Sequence, residues 1–309
     1  MLKRTYKLGT RGSKLALWQA YWVKERLVNR NPGLSIELVK ITTTGDRDQT
    51  SPLDQLGDTG VFIKEIERSL RKGEIDFAVH SAKDLPSEIH EDFDLMAFTE
   101  REDPRDVLLA QNGWTLKELP PKACLATGSL RRKAQLLAYG PEFQFKNLRG
   151  NIDTRLRKYQ ESDWDGIVVA WAGIKRMGYR SYVTEFLPPE ICLPAVGQGA
   201  IAIEGRRHDR EVRQLVRSIA HPETEGALRA EREFLRQIEG GCHVPVGALG
   251  QVVGNQIILT GMVASLDGRK ILREKVVAHV EEPEKAGEIL AQKMLQQSAR
   301  EILKGYKRN

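Results

Sequence analysis

Residues Ile75 to Pro86 read IDFAVHSAKDLP, and this stretch decides the fold class. Ile75 to Val79 is a short apolar run, which predicts a buried strand. His80 to Pro86 then brings polar and charged residues and a proline, which predict a turn directly after the strand. Because ligands bind at the carboxyl ends of strands in open α/β sheets, this turn is a candidate part of a binding site.

The elements before this strand alternate between strand and helix. Tyr6 to Gly9 is a predicted strand, and Ser13 opens a helix that ends at Asn31-Pro32-Gly33. Ile36 to Ile41 alternates apolar with polar residues as a second strand, and Val61 to Leu70 predicts another helix. This order predicts an α/β domain with a largely parallel sheet.

A similar pattern follows in the middle of the chain. Thr10-Arg11-Gly12-Ser13 is similar to Thr127-Gly128-Ser129, and Asp165 leads a strand as Asp76 does. Two explanations remain open: an internal duplication, or the general similarity of any two α/β domains. The predicted elements are strands at Ala123 to Ala126, Phe143 to Leu148 and Ile167 to Val169, with helices from Leu130 and around Thr154 to Tyr159.

Prolines and glycines separate the last third of the chain from the rest. Pro188-Pro189 and Pro194 to Gly199 mark a return crossing, and His221-Pro222 marks a second boundary. Beyond that boundary we predict a small α+β domain. Its elements are a helix at Glu223 to Ile238, strands near Ile257 to Val263 and Ile271 to Val280, and a helix from Pro283.

Composition narrows the class of protein. The chain has 309 residues, of which 40% are apolar and 29% charged, so we expect a folded protein of two or three domains. Cys124, Cys192 and Cys242 are widely spaced and the six histidines are scattered, which predicts neither a disulfide framework nor a metal site. Without an apolar leader or a run of membrane-spanning length, we expect a cytoplasmic protein.

The placement of arginines favours a small acidic ligand over the other partners that a net charge of +6 allows. Thr10 to Ser13 and Thr127 to Arg132 each place a serine at the predicted start of a helix, where N–H groups and the helix dipole favour an anion. His80 to Pro86 and Leu148 to Arg155 add basic residues at two further strand ends. Each segment alone could be an ordinary cap or solvated turn, but four together favour a pocket for carboxylates.

Gly240-Gly241-Cys242 is a turn on which no preceding side chain shields the thiol. Its context leaves open whether Cys242 is a reactive thiol or a small buried residue. Cys124 and Cys192 lie in apolar surroundings and fit the buried alternative better.

Six strings of residues, in this order and spacing, resemble the porphobilinogen deaminase family, from about Thr10 to the Gly-Gly-Cys turn and more weakly beyond. Together they are very specific. They are Val79 to Pro86, Arg101-Glu102-Asp103-Pro104-Arg105-Asp106, Ser129-Leu130-Arg131-Arg132, Leu148-Arg149-Gly150-Asn151, Leu193 to Ala200, and Glu239-Gly240-Gly241-Cys242.

The resemblance implies a transferase of tetrapyrrole biosynthesis that joins four porphobilinogen molecules on a dipyrromethane primer, releasing ammonia and the linear hydroxymethylbilane. The primer is implied to be a covalent cofactor, attached through a thioether to the cysteine that matches Cys242. Each ring carries an acetate and a propionate, so the growing chain requires a site rich in arginine.

The resemblance also implies roles for individual residues. Asp84 is the expected catalytic carboxylate, which would hydrogen-bond pyrrole N–H groups and stabilise positive charge when the substrate loses its amine. The residues expected to contact the primer are Cys242, Lys83, Ser129, Arg131, Arg132, Ser13, Ser81, Thr127 and Asp46. Those expected to contact the substrate and the growing chain are Arg11, Arg149, Arg155, Arg176 and Gln198.

The architecture that the resemblance implies is an α/β fold with two lobes like those of periplasmic binding proteins and a small α+β C-terminal domain. The chain would cross between the lobes near Thr99 and Ala200. The expected domains are therefore residues 1–99 with 200–217, residues 100–199, and residues 222–309. We expect a monomer with no nucleic-acid or membrane partner and no metal.

Two departures from the family pattern bear on these expectations. The family's Gly-Gly-Lys-Gly-Leu-Phe loop reads here Gly57-Asp58-Thr59-Gly60-Val61-Phe62, so Thr59 replaces a lysine and we expect this loop to contribute less to substrate binding. The usual Thr-Ser-Ser reads Thr127-Gly128-Ser129, which removes one hydroxyl but keeps the predicted cap.

Two other classes of protein remain as alternatives. A non-catalytic, two-lobed binding protein for a small dicarboxylate would explain the lobes and the arginines, although it does not require Cys242. A nucleic-acid-binding protein would explain the net charge. Trp18, Trp22 and Trp171 lie within apolar runs, however, so they are poor candidates for stacking on bases.

Overall fold

The computed structural model describes residues 4–42, 63–140, 142–238 and 244–304. The chain separates into two compact units, one formed by Met1–Arg101 with Ala200–Glu225 and the other by Glu102–Gly199 with Gly226–Asn309. Division of the second unit into a middle domain and a C-terminal domain remains a prediction.

Strands and helices are numbered here in chain order. The strands are β1 (Thr5–Arg11), β2 (Ser35–Ile41), β3 (Phe77–Ser81), β4 (Phe93–Phe98), β5 (Asp106–Ala110), β6 (Cys124–Ala126), β7 (Gln144–Lys146), β8 (Gly166–Ala170), β9 (Glu185–Leu187), β10 (Ile201–Arg206), β11 (Val246–Val253), β12 (Gln256–Ala264) and β13 (Ile271–His279). The helices are α1 (Lys14–Arg30), α2 (Lys64–Arg71), α3 (Leu130–Tyr139), α4 (Ile152–Gln160), α5 (Trp171–Arg176), α6 (Arg210–Arg217), α7 (Pro222–Gln237), α8 (Pro283–Gln296) and α9 (Ala299–Lys304).

The first unit is built on a five-stranded sheet in the order β2-β1-β3-β10-β4. β1 runs parallel to β2 and β3, as predicted, whereas β10 runs antiparallel to both of its neighbours. The prediction of a largely parallel sheet is therefore confirmed, with β10 running against its neighbours. Helix α1 buries Ala20, Val23 and Leu27, which lie three and four residues apart, against one face of this sheet.

The second unit contains a sheet of the same design in the order β7-β6-β8-β5-β9. β6 runs parallel to β7 and β8, and β5 runs antiparallel to β8 and β9. Helices α4 and α5 contribute Leu156 and Ile174 to the core on one face, and α3 contributes Leu136 to the core on the other. This is the α/β architecture that the sequence predicted.

Each sheet contains an aspartate that joins two neighbouring strands in the same way. The Asp76 backbone N–H donates to Lys7 O at 2.8 Å and its carboxylate accepts the Lys7 N–H at 2.7 Å. Asp165 exchanges the same two hydrogen bonds with Cys124, at 2.9 and 2.7 Å. The sequence similarity between Asp76 and Asp165 therefore corresponds to identical local geometry.

The C-terminal part is a small α+β structure, as predicted. β11, β12 and β13 form an antiparallel sheet with consecutive strand order. One core joins this sheet to α7 and α8 through Phe234, Leu290 and Met294. A second core packs Leu249 and Met262 of the sheet with Ala134 and Leu193, which belong to the same compact unit.

We predict that Asp76→Ala destabilises the first unit by about 1–3 kcal/mol, because it leaves the Lys7 N–H without its acceptor and removes ion pairs with Arg4 and Arg206. Asp94→Ala is the control, since Asp94 forms an exposed ion pair with Arg213 that is worth less than about 1 kcal/mol. Urea unfolding followed by circular dichroism measures both changes. Equal losses of stability in the two variants would contradict the importance of the Asp76 hydrogen bonds.

Candidate active site

Four of the predicted site residues lie at one edge of the sheet in the first unit. β1 and β3 are parallel neighbours, so their carboxyl ends meet at the same edge. Arg11 ends β1 and is followed by Ser13, while Lys83 and Asp84 follow the end of β3. The sheet therefore brings two basic groups, a hydroxyl and a carboxylate to one edge.

Ser13 occupies the helix N-cap that the sequence predicted. Its side-chain oxygen accepts the Ala16 N–H at 3.3 Å at the start of α1. Ser81 is also engaged within the protein, because its hydroxyl exchanges hydrogen bonds with the side-chain amide of buried Gln19 at 2.9 and 3.2 Å. These contacts fix both hydroxyl groups at the edge of the sheet.

Lys83 and Asp84 lie on a short 3-10 turn, Ala82–Asp84. The turn is anchored on both sides, because Ala82 and Leu85 are buried and the Ala82 N–H donates to Ala200 O at 3.0 Å. Between these anchors Lys83 is half-buried and Asp84 is exposed. The fold thus presents the predicted catalytic carboxylate to solvent on a fixed segment of backbone.

His80, in the same motif, has a different environment. It lies in β3 and its Nε2 pairs with Glu204 Oε2 of β10 at 2.8 Å, and both side chains are buried. This pair links two neighbouring strands of the sheet beneath the turn that carries Asp84.

In the second unit, the corresponding edge of the sheet carries a helix N-terminus. β6 leads through Thr127-Gly128-Ser129 into α3, and the Ser129 hydroxyl accepts the Arg132 N–H at 3.4 Å. The Thr127 hydroxyl accepts the Ser129 N–H at 3.3 Å. The predicted cap at Ser129 is therefore present, although Gly128 stands where the family has a serine.

Arg131 and Arg132, in the first turn of α3, are both buried and both paired with one carboxylate. Asp106 Oδ2 lies 2.8 Å from Arg131 Nη1, and Asp106 Oδ1 accepts from Arg132 Nε and Nη2 at 3.0 and 2.8 Å. Burial alone would raise the pKa of Asp106, but the two guanidinium groups outweigh it and hold that pKa well below its usual range. Asp106 is therefore ionised, and the cluster of these three residues keeps a net positive charge.

Asp106 is the residue in this site whose role the sequence analysis missed. It lies within one of the six family strings, but no role was assigned to it. The available signal was an acidic residue placed directly before the apolar run Val107-Leu108-Leu109, since a strand that begins buried requires a partner for such a charge.

The remaining predicted binding residues of this unit lie around the same edge. The Arg155 Nε donates to Gly150 O at 2.8 Å, next to Asn151, whose side chain caps α4. The Arg176 Nη2 donates to Gly199 O at 2.7 Å, and burial lowers the pKa of Arg176 to about 10 although Glu102 opposes this shift. Arg176 therefore remains charged at neutral pH.

Gln198 belongs to the cluster formed by Arg131, Arg132 and Asp106. Arg149 lies in the segment between β7 and α4. The Gln198 side-chain amide donates to Asp106 Oδ1 at 2.8 Å and to Pro104 O at 2.7 Å. The predicted residues of the second unit thus lie in the segments that follow β6, β7 and β8, except Gln198, which contacts Asp106 beside the last residue of β8.

Among the described cysteines, Cys192 is fully buried, and burial raises the pKa of its thiol to about 12. It is therefore the inert, buried cysteine that the sequence predicted, while Cys124 is half-buried. The predicted attachment residue Cys242, the predicted primer contact Asp46 and the departing loop around Thr59 lie outside the described residues.

Within residues 4–42, 63–140, 142–238 and 244–304, no three or more histidine, cysteine, aspartate or glutamate side chains are grouped in a way that could hold a metal ion. None of the helices seen there is long and apolar enough to cross a membrane.

Known proteins similar to this chain were found at the level of sequence and of structure. The family model "Porphobilinogen deaminase, dipyromethane cofactor binding domain" matches residues 6–214, and the model of the C-terminal domain of the same family matches residues 227–296. Among solved structures, a methionine-bound nutrient-binding protein from Burkholderia cenocepacia has a TM-score of 0.44 at 15% identity, covering 75% of this chain and 95% of that chain.

Curated relatives match almost the whole chain. The porphobilinogen deaminase of Geobacter sulfurreducens is 48% identical over 297 residues, covering 96% of this chain and 93% of the relative. The porphobilinogen deaminase of Pelotomaculum thermopropionicum is 49% identical over 303 residues, covering 98% and 97%. This chain therefore belongs to the porphobilinogen deaminase family.

Proposed function

We propose that this chain is a transferase that condenses four porphobilinogen molecules on a dipyrromethane primer, releasing ammonia and hydroxymethylbilane. The observation that carries the proposal is the match of residues 6–214 to a family domain named for binding the dipyrromethane cofactor. The near full-length relatives support the same reaction. A non-catalytic dicarboxylate-binding protein is not favoured, because these relatives are named as deaminases.

The cationic edge of the second unit fits an acidic polypyrrole. The Nε of Arg131 is buried and has no hydrogen-bond partner in the described part of the chain. A carboxylate is the group that such a donor requires, because a buried N–H of a charged group is costly when unpaired. We therefore assign Arg131, Arg132, Ser129 and Thr127 of this unit to the primer.

The family pattern also assigns Lys83, Ser13, Ser81 and Asp46 to the primer. When bound, the primer supplies the free α-carbon to which the next substrate molecule is joined. Attachment through Cys242 rests on the Gly-Gly-Cys string and on family membership.

We assign Asp84 as the catalytic carboxylate. The substrate must lose its amine, which leaves positive charge on the reacting pyrrole. A carboxylate on a turn anchored by Ala82 and Leu85 is held in place before the charge develops, which is the arrangement that makes electrostatic stabilisation effective. Asp84 would also hydrogen-bond the pyrrole N–H of the substrate.

The other basic residues would bind the substrate and the growing chain. Arg11, Arg149, Arg155 and Arg176 are assigned to carboxylates of the incoming molecule and of rings already added, together with Gln198. Arg11 ends β1, and the other three arginines lie in the loops and helices that follow β7 and β8. These positions support the assignment, because α/β proteins bind ligands beyond the carboxyl ends of strands. Guanidinium groups suit this task because each can bind a carboxylate with two hydrogen bonds.

We also propose that the protein works as a cytoplasmic monomer without nucleic-acid or membrane partners. Three widely spaced cysteines are typical of a reducing compartment, which supports the cytoplasm. The monomeric state follows the family pattern, and size-exclusion chromatography with light scattering would test it.

The purified protein should be heavier than its sequence by two linked pyrrole units when its intact mass is measured under denaturing conditions. Cys242→Ser should abolish this increment, because the thioether requires the thiol. Cys124→Ser is the matched control and should keep it. A Cys242→Ser protein that still carried the increment would refute the attachment residue.

Asp84→Ala should fold and keep its primer but lose turnover by about 100-fold or more, since it removes the group that faces the developing charge. Glu88→Gln, which changes an exposed carboxylate four positions further along, should leave the rate of product formation unchanged. Rapid tetrapyrrole synthesis by Asp84→Ala, followed by absorbance of the oxidised product, would remove Asp84 from this role.

A further inference from the structure

Asp106 lies at the edge of the sheet where the predicted ligand-binding residues gather. It is the first residue of β5 and pairs with Ala170, the last residue of β8, so it sits at the carboxyl end of the parallel strands. Its side chain is fully buried. Three residues assigned above to the primer or the substrate contact its carboxylate, namely Arg131, Arg132 and Gln198.

The two arginines use their guanidinium groups differently. Arg132 donates hydrogen bonds from Nε and Nη2 to Asp106, and its Nη1 donates to Val168 O at 3.1 Å. Arg131 contacts Asp106 through Nη1, which also donates to Leu193 O. The Nε of Arg131 is the buried donor for which the described residues provide no acceptor.

The charges of the cluster do not balance. Two guanidinium groups, each about 5% exposed, face one ionised carboxylate, which leaves one positive charge. A buried pair with a purely structural role needs one arginine for one carboxylate, because every uncompensated buried charge destabilises the fold. The excess charge and the unpaired Nε both belong to the pair of Arg131 and Arg132. One ligand carboxylate would neutralise the charge and accept a hydrogen bond from the Nε.

We propose that Asp106 is a positioning residue for the polypyrrole. It holds the guanidinium groups of Arg131 and Arg132 in fixed orientations, so that Arg131 Nε is directed at a carboxylate of the primer and one positive charge remains to bind it. Asp106 acts through the arginines and does not itself touch the ligand. This inference rests on the proposed function, since it presumes the acidic primer.

The buried thiol beside the cluster supports a preformed site. Cys192 Sγ lies 3.3 Å from Asp106 Oδ2 and donates its S–H there, and the raised pKa of this thiol keeps the donor in place at neutral pH. Gln198 and Arg132 also share a contact at 3.4 Å. The carboxylate is thus held from several sides, which limits how far the arginines can move before a ligand arrives.

The test compares Asp106→Asn and Asp106→Glu with the wild type. Asn keeps the size of the side chain but removes the charge and one acceptor, whereas Glu keeps the charge and moves the carboxylate. The fraction of molecules that carry the primer is measured by intact mass after incubation with porphobilinogen, and the KM for porphobilinogen is measured on the primed molecules. For the variants that fold, we expect the primed fraction to fall at least tenfold or the KM to rise at least tenfold.

Asp165→Asn is the matched control, because Asp165 also belongs to the second sheet and accepts a hydrogen bond, but it lies at the opposite end of β8. It should lower the melting temperature and leave the primed fraction and the KM unchanged. Folded Asp106 variants with a primed fraction and KM within twofold of the wild type would overturn the proposal. Failure of both variants to fold would assign Asp106 to stability alone and would also overturn it.

A wild-type protein without the primer mass would instead refute the proposed function. That result is separate from the behaviour of the Asp106 variants, since it is read on the unchanged chain. The two proposals therefore fail on different measurements.

Discussion

In each sheet, a pair of hydrogen bonds between an aspartate and the neighbouring parallel strand sets the alignment on which the proposed binding residues depend. Asp76 fixes β3 against β1 through Lys7, and Asp165 fixes β8 against β6 through Cys124. Because side chains alternate between the faces of a strand, a shift by one residue would exchange the side chains that β3 or β8 packs into the cores on the two faces of its sheet. The aspartates lie at the amino ends of these strands. By fixing the strands there, they also fix the positions of the segments that follow at the carboxyl edge of each sheet.

The two sheets differ at the position that carries the proposed catalytic carboxylate. Asp84 lies eight residues after Asp76, and the residue eight positions after Asp165 is Gly173. The position of Lys83 corresponds in the same way to Ala172, so the second sheet offers no charged residue at this point. Its charged groups come from the helix after β6 instead. The two sheets thus share a design but place different charged groups at their carboxyl edges, with Lys83 and Asp84 after β3 in the first and two arginines after β6 in the second.

Local signals in the sequence predicted the parts of the fold that depend on neighbouring residues. The caps at Ser13 and Ser129 were predictable because a serine oxygen satisfies the N–H groups two or three positions further along. β4, β5, β9, β10 and β11 were not predicted. In β10, Glu204 and Gly205 interrupt the apolar pattern, and the strand forms because β3 and β4 lie on either side of it. Pairing between residues more than 100 positions apart leaves no periodic signal.

The members of the candidate site were proposed from the sequence, but the arrangement of their charges was not predictable. The sequence predicted Arg131 and Arg132 as carboxylate ligands, and nothing in their spacing showed that both would be buried against Asp106. That arrangement follows from the antiparallel return of β5, which carries the aspartate to the end of β8. A free pair of guanidinium groups would repel each other and adopt many rotamers, at a cost in entropy when a ligand binds. One buried carboxylate removes both penalties, while the second positive charge still attracts an acidic ligand.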